Sequence, residues 1–383
     1  MKRGFIIVLD SVGIGATLDW QKYDEEPGNT LCHLAKAVGG LNLPNLSKLG
    51  LGNIRNIKGV EAVSSPLASW GKAPLTTKGK DTTAGHWEMM GIILNEPFPT
   101  YPQGFPDSLV ADLEAAFGIG ILGKKPASGT AIIEELGPEH LRTKKPIVYT
   151  SADSVVQIAC HEDIYSKEQL YDLCAKARAV CSGSHGVGRI IARPFKGQPG
   201  SFVRTEYRKD FSLTPPKPNV IAALNEKSIP VVGVGKINDI FGGCGINTSY
   251  GVKGNQLCLA ETIKLLRQGG AGFYFVNLVD FDMLYGHRND PQGYAAALQD
   301  FDASLTEILP LIGQDDLLII TADHGNDPTT KSTDHNREFV PIISYNPQLV
   351  PRPLGERQTM ADIGATIYQW LTGAAFTTGK SWL

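Results

Sequence analysis

Asp316-Leu317-Leu318-Ile319-Ile320-Thr321-Ala322-Asp323-His324-Gly325-Asn326-Asp327 is an apolar run that stops abruptly at a carboxylate and an imidazole. A run of this length without polar alternation reads as a strand buried on both faces of a parallel sheet. In such sheets the functional groups gather at the carboxyl ends of the strands. Thr333-Asp334-His335 follows closely, so one segment supplies an aspartate and two histidines. Hard oxygen together with imidazole suits Zn, Mn or Fe rather than Ca.

Two other segments share the design. Phe5-Ile6-Ile7-Val8-Leu9 ends at Asp10 and is followed by the turn-like Ser11-Val12-Gly13-Ile14-Gly15. Gly272-Phe273-Tyr274-Phe275-Val276-Asn277-Leu278-Val279 ends at Asp280, with Asp282, His287 and Arg288 just beyond. One aspartate after one strand is an ordinary cap or turn residue. Three strand ends with His287, His324 and His335 beside two of them point instead to a shared metal site.

A nucleophile is sought in Gly79-Lys80-Asp81-Thr82-Thr83-Ala84-Gly85-His86-Trp87-Glu88. Small hydroxyl residues here suit a strand-to-helix turn that presents a side-chain oxygen and backbone N–H groups to an anion. Such turns are also common caps, and a threonine hydroxyl needs a base or metal to become nucleophilic.

These segments resemble the motifs of the bacterial phosphopentomutases, members of the alkaline phosphatase superfamily. The likeness is carried by Asp10 to Gly15, Lys80 to Glu88, Asn277 to Asp282, Gly286-His287-Arg288 and Thr321 to Pro328. It extends through Lys124 to Thr130 and Ser151 to Val155 to the closing Gly379-Lys380-Ser381-Trp382-Leu383. The resemblance implies an α/β fold: an alkaline-phosphatase-like core with a central, mostly parallel sheet flanked by helices, plus an inserted α+β cap domain. It implies two divalent ions, Mn first among them, and a phosphorylated threonine. By similarity one ion is held by Asp10, Asp323 and His324, and the other by Asp282, His287 and His335, with Thr82 as the phosphorylated residue. Ala84 departs from the threonine that relatives tend to carry and removes a third hydroxyl from the phosphate. Asp280 has no matching ligand role and is expected to be structural.

Charge counting supports this site independently of the resemblance. Three aspartates and a threonine alkoxide match the four positive charges of two divalent ions, so a deprotonated Thr82 is electrostatically reasonable, and two such ions can clamp an in-line phosphoryl transfer. His86, Trp87 and Glu88 would splay around successive faces of a helix, so packing or support is their expected role. His33, His140, His161 and His185 are read as surface or core residues, and Lys80, Arg288 and Lys331 as charges that could offset a phosphorylated Thr82.

The strand-ending-in-aspartate design disappears between about Pro97 and Pro216. In its place stand an amphipathic run from Asp107 to Phe117, strand-like Ile147 to Thr150, helix-like Lys167 to Val180 and strand-like Arg189 to Ala192. Proline-containing stretches flank it, so the expected division is a core of 1–98 and 217–383 with an insert of 99–216. The insert carries Arg193, Arg204 and Arg208, whose planar forks suit phosphate. Similarity assigns Asp153, Arg193 and Arg208, with Lys236 from the core, to the sugar and its distal phosphate.

The 36 basic and 39 acidic residues give a net charge of -3, which argues against nucleic acid or a membrane surface as the main partner. No apolar stretch reaches membrane-spanning length, and six scattered cysteines form no CxxC pair, so a cytoplasmic monomer with reduced thiols is expected. The predicted activity interconverts ribose 1-phosphate, and the 2-deoxy sugar, with the 5-phosphate through a phosphothreonine. A sugar bisphosphate, ribose 1,5-bisphosphate or glucose 1,6-bisphosphate, is the expected activator. The rival readings are a metal-dependent phosphatase, a cofactor-independent phosphoglycerate mutase and a silent metal-binding scaffold.

Overall fold

The three apolar runs lie side by side in the computed structural model, which describes residues 2–151 and 153–383. In chain order the strands are β1 (Arg3–Leu9), β2 (Ser69–Ala73), β3 (Leu122–Pro126), β4 (Ile147–Thr150), β5 (Val155–His161), β6 (Arg189–Lys196) and β7 (Val203–Arg204). They continue with β8 (Lys209–Ser212), β9 (Val231–Val234), β10 (Thr248–Tyr250), β11 (Gly272–Leu278), β12 (Asp316–Thr321), β13 (Val340–Tyr345) and β14 (Pro353–Glu356). The chain forms two compact units, residues 1–96 with 215–383 and residues 97–214. Each has its own sheet.

The first unit is built on an eight-stranded sheet of order β10-β9-β11-β1-β12-β13-β2-β14. From β10 to β12 all neighbours are parallel, and β13 runs against both of its partners. The middle strands β11, β1 and β12 carry the apolar runs, and their residues are buried along nearly the whole length. That is why these strands lack polar alternation: helices close both faces of a parallel sheet. Register places Leu9 opposite Leu278 and Val8 opposite Thr321, so the three strands end level. The α/β, mostly parallel core is the one the sequence predicts.

The second unit holds a mixed sheet with the path β3-β4-β5-β6-β7, and β8 also pairs with β6. Helices Asp107–Phe117 and Lys167–Val180 form where the amphipathic runs predict them. The latter begins with a complete capping box, in which Ser166 accepts from the Gln169 N–H and the Gln169 side chain accepts from the Ser166 N–H. Leu109, Leu113, Leu170, Cys174 and Ala177 from the two helices pack with Val156, Ile158 and Ile190 of the sheet into a separate apolar core. Among the described residues no helix is long and apolar enough to cross a membrane.

Candidate metal and phosphoryl-transfer centre

Asp10 and Asp323 follow adjacent parallel strands, so the level strand ends bring their carboxylates together. Both are fully buried. A backbone turn tightens the approach: Ser11 takes a positive φ of 71°, uncommon for a residue with a Cβ, and this aims its N–H at Asp323 Oδ1 at 3.0 Å. Asn277, from β11, donates to Asp10 Oδ2 at 2.7 Å. Each carboxylate therefore has one oxygen held by an N–H. Asp10 Oδ1 and Asp323 Oδ2 have no hydrogen-bond partner. His324 Nε2 lies 3.5 Å from the first and 3.2 Å from the second.

A second cluster adjoins the first. Asp282 sits in one turn of π-helix, Phe281–Tyr285, directly after β11, an irregularity often found at functional positions. Its carboxylate meets His287 Nε2 at 3.1 Å and His335 Nε2 at 3.3 Å, and accepts from Asn326 Nδ2 at 2.8 Å. The His324 and His335 rings are 4.0 Å apart between centroids, which joins the two clusters. Donor atoms of Asp10, Asp323 and His324 lie within 4.8 Å of one another, as do those of Asp282, His324 and His335. His324 thus reaches both groups, and His287 joins through Asp282.

The donor chemistry fits divalent metal. His324 Nδ1–H donates to the Gly325 carbonyl at 3.1 Å and His287 Nδ1–H to the Thr333 carbonyl at 2.6 Å. In its neutral form each histidine then presents an Nε2 lone pair, the arrangement by which backbone carbonyls set ligand tautomers. The partnerless buried atoms Asp10 Oδ1, Asp323 Oδ2 and His335 Nε2 are the ones that would face a cation. Burial, reinforced by the Asp323 charge, raises the Asp10 carboxyl above its ordinary range. Burial acts the same way on Asp282, but interaction with His335, the hydrogen bonds of His287 and His335, and the proximity of His324 outweigh it and hold this carboxyl well below its usual value. The Asp282 hydrogen bond pushes His287 up to about 9.

Thr82 opens the helix Thr82–Met89, with Asp81 as N-cap accepting from the Ala84 N–H at 3.1 Å. Its Oγ1 stands 3.3 Å from His324 Nε2. The helix approaches this closely because position 85 is glycine: a Cβ there would lie 2.3 Å from the Asp323 carbonyl oxygen. His86 Nδ1 is 2.9 Å from the Thr82 carbonyl and 3.1 Å from Asp323 Oδ2, and its Nε2 is 3.3 Å from Asn277. Glu88 accepts from the N–H groups of Thr76, Thr77 and Met360 and from the hydroxyls of Thr76 and Thr359. His86 and Glu88 therefore support the helix, and Trp87 packs in the core with Nε1 on the Ile240 carbonyl.

Other charged residues near the two clusters have partners or positions of their own. Lys80 is engaged by Asp24 at 3.0 Å and Asp334 at 3.1 Å, so its charge is already matched. Arg288 and Lys331 are exposed. Asp280 accepts from the N–H of Asn255 at the start of helix Asn255–Gln268, a structural role. His33 binds Asp327, the last residue of the Asp323–Asp327 segment, at 2.6 Å. Sequence reading missed the buried pair Arg337 and Glu338. Arg337 donates to the Thr77 and Gly79 carbonyls beside the Thr82 helix. Glu338 accepts from Gly15 N–H and from the N–H and hydroxyl of Thr30. Isolated charges after a histidine carry no signal in one sequence.

Of the residues assigned to the sugar phosphate, Lys236 lies in the first unit, half-buried before the short helix Ile237–Ile240. The other three are in the second unit. Asp153 is 3.5 Å from Arg189, Arg208 makes a two-pronged pair with Asp210 at 2.8 Å for each bond, and Arg193 donates to Gln157 at 3.0 Å.

Residues 2–373 match the model of the Metalloenzyme superfamily. The chain is 51% identical to the phosphopentomutase of Dictyoglomus turgidum, an alignment covering 100% of this chain and 98% of the relative. It is 54% identical to the phosphopentomutase of Carboxydothermus hydrogenoformans over 96% and 95% of the two chains. Among solved structures, the PH0037 protein from Pyrococcus horikoshii aligns over 99% of both chains with a TM-score of 0.51 at 14% identity. Leishmania mexicana phosphoglycerate mutase aligns over 99% of this chain and 97% of its own with a TM-score of 0.50 at 13% identity, and these two likenesses concern the fold alone. With half its residues shared along the full length of these relatives, the chain belongs to the phosphopentomutase family of the metalloenzyme superfamily.

Proposed function

We propose that the protein interconverts ribose 1-phosphate, and its 2-deoxy counterpart, with the 5-phosphate through phosphorylated Thr82. The observation that carries this reading is the Thr82 hydroxyl, 3.3 Å from His324 at the N-terminus of a helix and beside two clusters of metal-type donors. Asp10, Asp323 and His324 would hold one divalent ion and Asp282, His287 and His335 the other, with Mn as the proposed metal. Bound there, such ions supply Lewis acidity that lowers the hydroxyl pKa and offsets charge on the transferring phosphoryl group.

The chain's own residues do the rest. Asp81 caps the helix and Gly85 lets it approach, which fixes the Thr82 oxygen. Phospho-Thr82 donates its phosphoryl group to the free hydroxyl of the pentose phosphate, giving a bisphosphate and a free threonine oxygen. That oxygen then takes the other phosphoryl group, which regenerates phospho-Thr82 and releases the isomeric monophosphate. Backbone N–H groups at the first turn of the helix favour the added negative charge. Asp153, Arg193, Arg208 and Lys236 are the proposed contacts for the sugar and its distal phosphate. A sugar bisphosphate, ribose 1,5-bisphosphate or glucose 1,6-bisphosphate, is required as activator because free Thr82 has no phosphoryl group to give. The reading places the enzyme in the cytoplasm, in keeping with six free cysteines.

Phosphopeptide mapping after incubation with glucose 1,6-bisphosphate and Mn tests the mechanism. Label confined to Thr82 is expected. Label on another residue overturns the assignment.

A further inference from the structure

The second unit gathers arginines without giving them all acids. Arg208 is paired with Asp210, and Arg189 is 3.5 Å from both Asp153 and Asp210. Glu162 is taken by the Thr205 hydroxyl and Glu134 by the N–H groups of Gly200 and Phe202. Arg193 and Arg204 have no carboxylate hydrogen-bond partner among the described residues. Their side-chain partners are neutral: Arg193 Nε donates to Gln157 Oε1 at 3.0 Å, and Arg204 donates to the Tyr149 hydroxyl at 3.4 Å. Tyr149 in turn donates to the same Gln157 oxygen at 3.3 Å. The sheet register imposes this chain, because Tyr149 on β4 stands directly opposite Gln157 on β5.

We infer that Gln157 is a positioning residue that orients Arg193, and through Tyr149 Arg204, while leaving both cations uncompensated for a phosphomonoester dianion. A glutamate of the same length would satisfy the same donors. It would also cancel the charge, since a carboxylate on a guanidinium forms a strong charge-assisted bond. A neutral amide oxygen fixes the fork and discharges nothing. The surroundings show the tension this maintains: burial and the neighbouring Arg208 and Arg204 charges push the Arg193 guanidinium down to about 10. An anion arriving there relieves repulsion as well as forming bonds. Gln157 itself is 5% exposed, so its amide is held by the sheet and not by solvent. The bond from Arg193 also settles which way the amide faces, because only the oxygen can accept from Nε–H.

The inference rests on the reading that Arg193 binds the sugar phosphate, and the test separates the two. The Mn-loaded, bisphosphate-activated full chain is assayed with ribose 5-phosphate, and equilibrium binding of ribose 5-phosphate is measured by calorimetry. Gln157→Glu is expected to raise KM and Kd about tenfold or more with kcat within about threefold of the parent, and Arg193→Met to do at least as much. Tyr149→Phe, which cuts the link to Arg204 without adding charge, is expected to raise KM about threefold. It also serves as the decisive variant should thermal melting show that Gln157→Glu is unfolded. If Arg193→Met weakens binding but neither Gln157→Glu nor Tyr149→Phe does, the role of Gln157 is overturned while the phosphate reading stands. If Arg193→Met changes nothing, the phosphate reading fails and the inference falls with it.

Discussion

The two units carry charge surpluses of opposite sign, and they bury them differently. In the first, Asp10 and Asp323 are sealed at the ends of neighbouring strands, each with one oxygen tied by an N–H and one bare. In the second, Arg193 is only half-buried and leans on neutral partners. The acids are placed by backbone topology, since level strand ends leave them little freedom. The arginines are placed by side-chain hydrogen bonds across a sheet face. A site for metal demands fixed, dry, closely spaced donors. A site for a phosphate that must arrive and leave tolerates longer arms and partial solvation.

That contrast can be broken most severely at Thr82, the one nucleophile proposed in the first unit. Thr82→Ala is expected to lower kcat by about 10⁴-fold or more, the scale seen when a covalent nucleophile is deleted, with metal content unchanged by elemental analysis. Retained turnover would remove the covalent mechanism.

The buried Glu338 offers the next largest effect, one on stability. Burial pushes its carboxyl up to about 7 from the ordinary 4.5. Between those values the folded chain holds a proton that the unfolded chain has released. Stability supplied by this group is therefore complete below pH 4.5 and is lost as pH rises through 7, in total about 3 kcal/mol at roughly 1.4 kcal/mol per unit. Denaturant melts across pH 5 to 8 should show the fall, and Glu338→Gln should flatten it. Equal slopes in both proteins would show that Glu338 is ionised throughout.

Asn277 sharpens the comparison at a smaller scale. Asn277→Ala frees Asp10 Oδ2 and is expected to weaken metal binding about 10- to 100-fold, as loss of a residue that orients a ligand does. Calorimetric titration of the metal-free chain measures this directly. The Gln157 variants of the second unit should leave the same titration unchanged, so a shift there would mean that the two charge systems are coupled.

Legibility in the sequence follows the same division. Asp10, Asp323 and His324 could be read because each ends an unbroken apolar run, and a buried parallel strand leaves that trace in sequence. The helices Asp107–Phe117 and Lys167–Val180 announced themselves by amphipathic spacing. Asp282 was harder, since a π-helical turn carries it away from the strand end, where Asp280 accepts from the Asn255 N–H. Arg337, Glu338 and Gln157 left no trace, because each acts on partners distant in sequence: Thr77 and Gly79, Gly15 and Thr30, Arg193.

The three buried strands, the helices Asp107–Phe117 and Lys167–Val180 and the identity of the strand-end acids were thus determined by local hydrophobic pattern, which is a property of neighbouring residues, whereas the order of the strands in the sheet was not. The tertiary structure alone decided which carboxylate oxygens stay bare, that His324 reaches both donor groups, and which arginines lack acids. Those outcomes depend on register between strands and on the turn at Ser11. In the first unit both are set by contacts between segments about 300 residues apart, and in the second by strand pairing at shorter range, where a displacement of one residue would turn every side chain to the opposite face.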